Sequence, residues 1–418
     1  MPGENIHALP AAARRHRFGF WAVAFAFLIV MAFATLPSPL YGLYRIRDGL
    51  SAFTVTVVYA IFAGGTIAAL LAVPFAAARV GRRGVMLGAV ATMMLAASVL
   101  AAWKALPGLL VGRLITGLAV GLVAGTAITY LVELRVRENP KASVVRARNI
   151  GTAVNVGALG LGPLVAGCLA EWARAPLTLS YVVFLALGAI ALIALATTPE
   201  TGTAAPRASA QHEAGKSARL ARVLIPGALA TCAAFSANGL FAGLSGLFLA
   251  VTFEHPSHAL AGATLFLVFS AGVVSQLATD GLPARRVFVL GTVSMLIGLA
   301  MLVTSVRLST PSLTLFLLSG VSIGAGAGAV FKGTTGLVLA ATPPEDRLAA
   351  TSNLLIALFV GLSIPVIGAG VALDRGSSPA NTVLGFAIIV GLGVAGAGAL
   401  LAHALRDTQP DHPKGDPP

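Results

Sequence analysis

Arg113 and Lys332 are the two basic residues that fall in the middle of apolar stretches of this 418-residue chain. Arg113 heads a run with Gly117, Gly121 and Gly125, spaced four apart inside the apolar segment Leu106 to Leu131. On a helix that spacing stacks one cation above a glycine groove along a single face. An ionisable side chain inside a bilayer is costly, so its expected use is in a transport pathway. Lys332 lies nine residues from the end of its own stretch, about 13 Å at 1.5 Å per residue. Two readings follow: an ammonium capped by backbone carbonyls near the interface, or a cation facing a central cavity opposite Arg113. Asn238 lies between Ala237 and Gly239 in a third stretch. An unpaired amide there is costly, so it implies a helix-to-helix hydrogen bond or a substrate contact. Arg113, Asn238 and Lys332 form the candidate substrate-binding and coupling set.

The missing residue types are equally informative. No Asp, Glu or His lies well inside an apolar stretch; Glu133 and Asp280 sit at the ends of theirs. Proton exchange commonly uses a carboxylate whose pKa burial has raised. Coupling therefore falls to Glu133 or Asp280, or to protonation of the substrate itself. Two central cations suit an anionic or electron-rich substrate. The chain carries no phosphate loop and no Cys and His cluster with metal spacing, and its seven His are scattered near termini and loops. Neither an enzyme, a cofactor nor a metal is expected, and ATP-driven transport within this chain is excluded.

These residues need apolar elements to hold them. Hydrophobic residues make up 57% of the chain and charged residues 10%, against roughly 25% charged in a soluble domain. Twelve stretches are long enough to cross a bilayer as helices of about 20 residues. They run from Phe18 to Leu36, Phe53 to Ala77, Val85 to Ala102, Leu106 to Leu131, Ile150 to Leu169, Leu177 to Ala196, Val223 to Val251, Ala259 to Ala278, Val287 to Val306, Leu313 to Ala340, Thr351 to Leu373 and Thr382 to Leu405. The first has an apolar core longer than the 7 to 15 residues of a signal peptide, and removing it would leave an unpaired eleven.

The net charge of +13 follows the membrane and does not point to nucleic acid. Twenty of the 28 Lys and Arg fall on one side of the alternating loops and six on the other. That bias places both termini in the cytoplasm of a multi-pass protein of the cytoplasmic (inner) membrane. Cys168 and Cys232 are expected near opposite faces, too far apart for a disulfide.

One long polar gap, Thr197 to Arg222, divides the spans six and six. The expected organisation is a cytoplasmic N-terminal segment (1–17), a six-helix bundle (18–198), a flexible linker (199–222), a second six-helix bundle (223–405) and a disordered tail (406–418). A shift of 207 residues lays Gly117 on Gly324 and Gly121 on Gly328, and a shift of 203 lays Gly81, Arg82 and Arg83 on Ala284, Arg285 and Arg286. Two related halves imply a substrate site between them and rocking of one half against the other.

With these features in place, the chain resembles a family, the major facilitator superfamily, over Arg17 to about Leu405. The loop PFAAARVGRR is similar to the family's signature loop: Arg79, Gly81, Arg82 and Arg83 match, while Pro74 and Ala78 replace a Gly and an Asp. The resemblance implies a cytoplasmic latch, with Glu133 balancing Arg79 or Arg83 in place of the lost Asp; Asp280, read from the sequence at the cytoplasmic end of the eighth span, is counted with these gate residues. The fourth span, LLVGRLITGLAVG, resembles the family's intramembrane Arg followed by Gly. The fifth, GALGLGPLVAG, resembles the exporter motif through Gly157, Gly162, Pro163 and Gly167, with Ala166 in place of a second Gly. Pro199, Glu200 and Thr201 close the sixth span in a way common in the family. The implied fold is all-α, with twelve transmembrane helices in two pseudo-symmetric bundles. The implied function is alternating-access secondary transport by a monomer, most simply proton-coupled efflux of small amphipathic compounds. Uptake or exchange of a small organic anion is the alternative. Pro37, Ser38 and Pro39 are expected to break the first helix, followed by Tyr41 and Tyr44 as interfacial belt residues.

Overall fold

The computed structural model describes residues 11–141, 143–202 and 214–406. The N-terminal residues 1–10, residues 203–213 of the expected linker and the tail beyond Arg406 lie outside the described residues; the last nine residues of that linker, 214–222, are helical and open the helix Ala214–Val251. The described chain is helical throughout: α1 (Ala11–Thr35), α2 (Tyr41–Asp48), α3 (Ala52–Ala102), α4 (Leu106–Glu138), α5 (Val144–Trp172), α6 (Pro176–Ala196), α7 (Ala214–Val251), α8 (His258–Ala278), α9 (Ala284–Arg307), α10 (Leu313–Ala341), α11 (Arg347–Asp374) and α12 (Pro379–Arg406). Eleven helical segments are long and apolar enough to cross a membrane. The 51-residue α3 supplies two of the twelve spans, since its length of about 77 Å far exceeds a bilayer core of about 30 Å. It doubles back at Gly81, whose φ of 71° and ψ of 176° interrupt the helix.

One face of the bundle, the basic face, carries the turn at Gly81 and the ends of α4, α5 and α9 that each hold two arginines; the far face lies opposite. Around the circumference, large apolar side chains such as Trp21, Phe75, Ile193, Val274, Ile389 and Leu392 are exposed. In a membrane protein such side chains meet lipid, because apolar surface of this extent is unfavourable in water and at home against hydrocarbon.

The sequence repeat has a packing counterpart. In α4, a Cβ on Gly117 would collide with the Phe62 carbonyl of α3, and one on Gly121 with the Thr66 carbonyl. In α10, a Cβ on Gly324 would collide with the Val268 carbonyl of α8, and one on Gly328 with the Gly272 carbonyl. The glycine groove of the fourth span therefore lets α3 approach, and its equivalent in α10 lets α8 approach. Between spans of equal hydrophobicity, such close backbone contact is a main source of association.

The first helix ends as the prolines direct. A short 3-10 turn, Ser38–Leu40, follows α1 and leads into α2. Tyr41 and Tyr44 are buried instead of forming an interfacial belt, and the Tyr44 hydroxyl lies 3.3 Å from that of Tyr181. The belt reading fails because α2 folds inward over the bundle, and Gly49, with a φ of 64°, caps it and returns the chain to α3.

Candidate functional site: a cavity between the halves

Arg113 is fully buried. Its Nε donates to the Val58 carbonyl at 3.4 Å, one terminal nitrogen to the Tyr59 carbonyl at 3.1 Å and the other to the Ala34 carbonyl. Ala34 lies in the last turn of α1, where carbonyls lack intrahelical partners. The guanidinium also lies 4.7 Å from the ring centre of Phe62 and 5.7 Å from that of Tyr59. Arg113 thus ties α4 to the end of α1 and to α3, all within the first six spans. It shares no bonding partner with Lys332, which lies near the other face, so the structure does not bring the two cations together.

Lys332, on α10, donates through Nζ to the Gln276 carbonyl and stands 3.4 Å from Asp280 Oδ1. Asn149 of α5 donates to Asp280 Oδ2 at 3.3 Å. Asp280 therefore receives one group from each half. Beside this junction lies a cavity of about 210 Å³ at the basic ends of α5, α8 and α10. Arg148, Asn149, Thr152, Gln276 and Lys332 supply its polar wall, and Val273, Leu277 and Phe331 its apolar one. Sequence reasoning missed Arg148. Arg135, Arg137, Lys141 and Arg146 precede it in one short stretch, and one basic residue among them gives no signal of its own.

Several buried polar atoms along the helices lack a hydrogen-bond partner among the described residues. They include Asn238 Oδ1 on α7, in a residue only 2% exposed, Asn155 Oδ1 on α5 and Gln276 Nε2 on α8. Asn238 makes no bond to a described residue through its oxygen, and a buried unpaired acceptor is costly.

The signature loop at the basic face is closed by residues other than those the resemblance implied. Glu133 pairs with Arg82, at 2.7 Å from Nε, and not with Arg79 or Arg83. Arg79 is exposed and makes no ion pair with a described residue. Arg83 reaches the Ala196 carbonyl at the end of α6. The physical reason is the turn at Gly81: the reversed backbone points Arg82 at the end of α4 and starts a new helical limb whose first N–H groups need acceptors. Glu200 provides them, accepting from Arg82 N at 3.1 Å and from Arg83 N at 3.0 Å. Thr201 Oγ1 donates to Glu133 at 2.6 Å, and the Tyr130 hydroxyl to the Pro199 carbonyl at 2.8 Å. The Pro-Glu-Thr triplet, a weak sequence signal, proves to be the clamp of this loop.

The exporter-like motif lies on α5 where it meets α1 and α8. A Cβ on Gly162 would collide with the Ala32 carbonyl of α1. Gly157 and Gly167 instead face α8, at Val273 and at His258 with Gly262. Pro163 offers its carbonyl to the contact with Gly262. Among the described residues no cluster of three or more His, Cys, Asp or Glu could hold a metal ion.

A helical bundle with two matched halves, an apolar circumference and a cavity between the halves can be set beside known proteins. The family model of the Major Facilitator Superfamily matches residues 23–282. The chain belongs to that superfamily. It is a multi-pass membrane protein and a secondary transporter, not an enzyme. Among solved structures, that of a mutant of the nucleoside transporter NupG is similar, with a TM-score of 0.68 and 14% identity over 93% of this chain and 99% of that one. The POT family transporter PepTSo is similar with a TM-score of 0.74 and 12% identity over 96% of this chain and 100% of that one. At such identities the likeness concerns the fold. No curated protein matches the sequence.

Proposed function

We propose that this transporter exports small amphipathic compounds in exchange for protons, with its basic face in the cytoplasm of the inner membrane and one chain sufficient for the cycle. The observation that carries the reading is the cavity of about 210 Å³ at the basic face, walled by both halves and part polar, part apolar. A compound with an apolar body and one polar group fits such walls, since each surface meets its like. Asp280 is the proton site of the proposal. It holds Asn149 from one half and Lys332 from the other, so protonating it weakens both contacts and frees the cavity rim. Asn238, with its unpaired oxygen, offers a contact deeper along the path.

A second reading, uptake or exchange of a small organic anion, is favoured by Arg148 and Lys332 on the cavity wall. The two are separated by substrate-induced proton flux in proteoliposomes loaded with a pH dye, screened with anionic and cationic amphiphiles. Saturable proton movement that disappears in Asp280→Asn supports antiport. Saturable anion movement with no proton flux moves the assignment to the anion carrier.

A further inference from the structure

Two carboxylates outside the cavity occupy matching positions in the two halves. Glu171, at the far end of α5, reaches across to the start of α8. Its Oε2 accepts from His258 N at 2.8 Å, Ala259 N at 3.2 Å and Ser257 Oγ at 3.1 Å. Asp374, at the far end of α11, reaches across to the start of α3 and accepts from Ala52 N at 3.0 Å and Phe53 N at 3.2 Å. In both receiving helices the next N–H is taken by the helix's own N-cap serine. Ser257 accepts from Leu260 and Ser51 from Thr54. The orphan donors that open each helix are thus divided in the same way: the first two go to a carboxylate from the other half, and the third to a local serine.

The sequence carries the same device twice. Gly167 precedes Glu171 by four residues, and Gly370 precedes Asp374 by four. One helical turn inward from each carboxylate, the glycine lets the partner helix come close. A Cβ on Gly167 would fall on the His258 carbonyl and 3.1 Å from Gly262, and one on Gly370 would fall on the Thr56 hydroxyl and 3.1 Å from Phe53. Each pair therefore combines close packing with a charge aimed at the positive end of a helix. Both contacts join opposite halves at the far face, and both break if that face opens.

We propose that Glu171 and Asp374 are the paired latches that hold the far face of the transporter shut while the cavity at the basic face is loaded. The proposal rests on the proposed transport and on the rocking of the halves expected from the sequence repeat, but not on the substrate or on proton coupling. The latches act as positioning residues, setting the balance between the two faces without touching cargo. A carboxylate at a helix N-terminus shifts such a balance about threefold. Losing one latch then raises the far-open population about threefold, and losing both about tenfold.

Pulsed electron paramagnetic resonance on the full chain in nanodiscs tests this. Spin labels go on Ala105→Cys and Ser309→Cys, exposed far-face positions of the two halves, in a Cys168→Ser, Cys232→Ser background. The expected result is a longer-distance population that grows in Glu171→Ala and in Asp374→Ala, grows further in the double variant, and recedes in Glu171→Asp and Asp374→Glu. Gly262→Leu, whose side chain would strike the Pro163 carbonyl, obstructs far-face closure without removing a latch and serves as the control. If Gly262→Leu lengthens the distance while the double latch variant matches the parent, the latches are overturned and the rocking stands. If none of the variants changes the distance, the rocking fails and the latches with it.

Discussion

Arg113 shows how the same residue reads differently before and after its neighbours are known. Its three carbonyl partners and two aromatic faces make it a tie between helices, with its guanidinium turned to protein on every side that bonds. We expect Arg113→Ala to lower stability by about 2 kcal/mol, the scale of hydrogen bonds made by a charged group. Arg113→Lys should recover little of it, because an ammonium cannot span carbonyls on two helices as a planar fork does. Thermal unfolding in detergent measures both; an unchanged midpoint with lost transport would return Arg113 to the transport pathway. Gly81 invites a second substitution. Its φ of 71° with ψ of 176° lies in a region kept almost entirely to glycine, and a Cβ would lie 2.6 Å from Glu200 Oε2. Gly81→Ala should therefore cost about 1–3 kcal/mol and release the Glu200 clamp, seen as faster proteolysis at the basic-face loop.

At the level of the helix, the repeated glycine grooves make a prediction of equality. Gly117 and Gly324 each meet a backbone carbonyl of the neighbouring span, Phe62 and Val268. Backbone cannot swing aside as a side chain can, so a β-branched residue at either site must push two helices apart. Gly117→Val and Gly324→Val should each destabilise by about 1–3 kcal/mol, and by similar amounts. Gly88 is the useful contrast, since nothing lies within 4 Å of a Cβ placed there. Gly88→Val should leave the unfolding midpoint nearly unchanged. A large loss there, or a loss at only one of the groove glycines, would break the link between sequence repeat and packing repeat.

For the molecule as a whole, the arrangement has the cavity at one face and interlocked helix ends at the other. Accessibility should follow. Thr152→Cys, on the cavity wall, should react with a membrane-impermeant maleimide from the basic face, and Ser309→Cys from the far face. Right-side-out and inverted vesicles then decide orientation directly. With the basic face cytoplasmic, Thr152→Cys is protected in right-side-out vesicles and labelled in inverted ones. The opposite pattern would overturn the charge-bias assignment and, with it, export from a cavity loaded in the cytoplasm.

Composition and the spacing of apolar stretches already determine a polytopic helical membrane protein, because nothing but helices or closed barrels can satisfy its backbone in lipid. The positions of Gly117, Gly121, Gly324 and Gly328 make the two-fold repeat visible, since local small-residue spacing survives in the sequence where tertiary contacts do not. The resemblance in the signature loop and in the fourth and fifth spans leads to the right family. The bonding partners were not legible. Arg82 takes Glu133 because of a backbone reversal at Gly81, and Glu200 closes the loop from beyond the end of α6. Arg113 and Lys332 fall in the same span of the two halves yet bond at different faces, because depth and azimuth on separate helices are decided by packing. Glu171 and Asp374 lie at helix ends where a lone carboxylate reads as ordinary surface. Only the tertiary structure carries each across to a helix of the other half, because a hydrogen bond between residues 87 and 322 positions apart depends on how the helices are assembled and leaves no periodic trace in the chain.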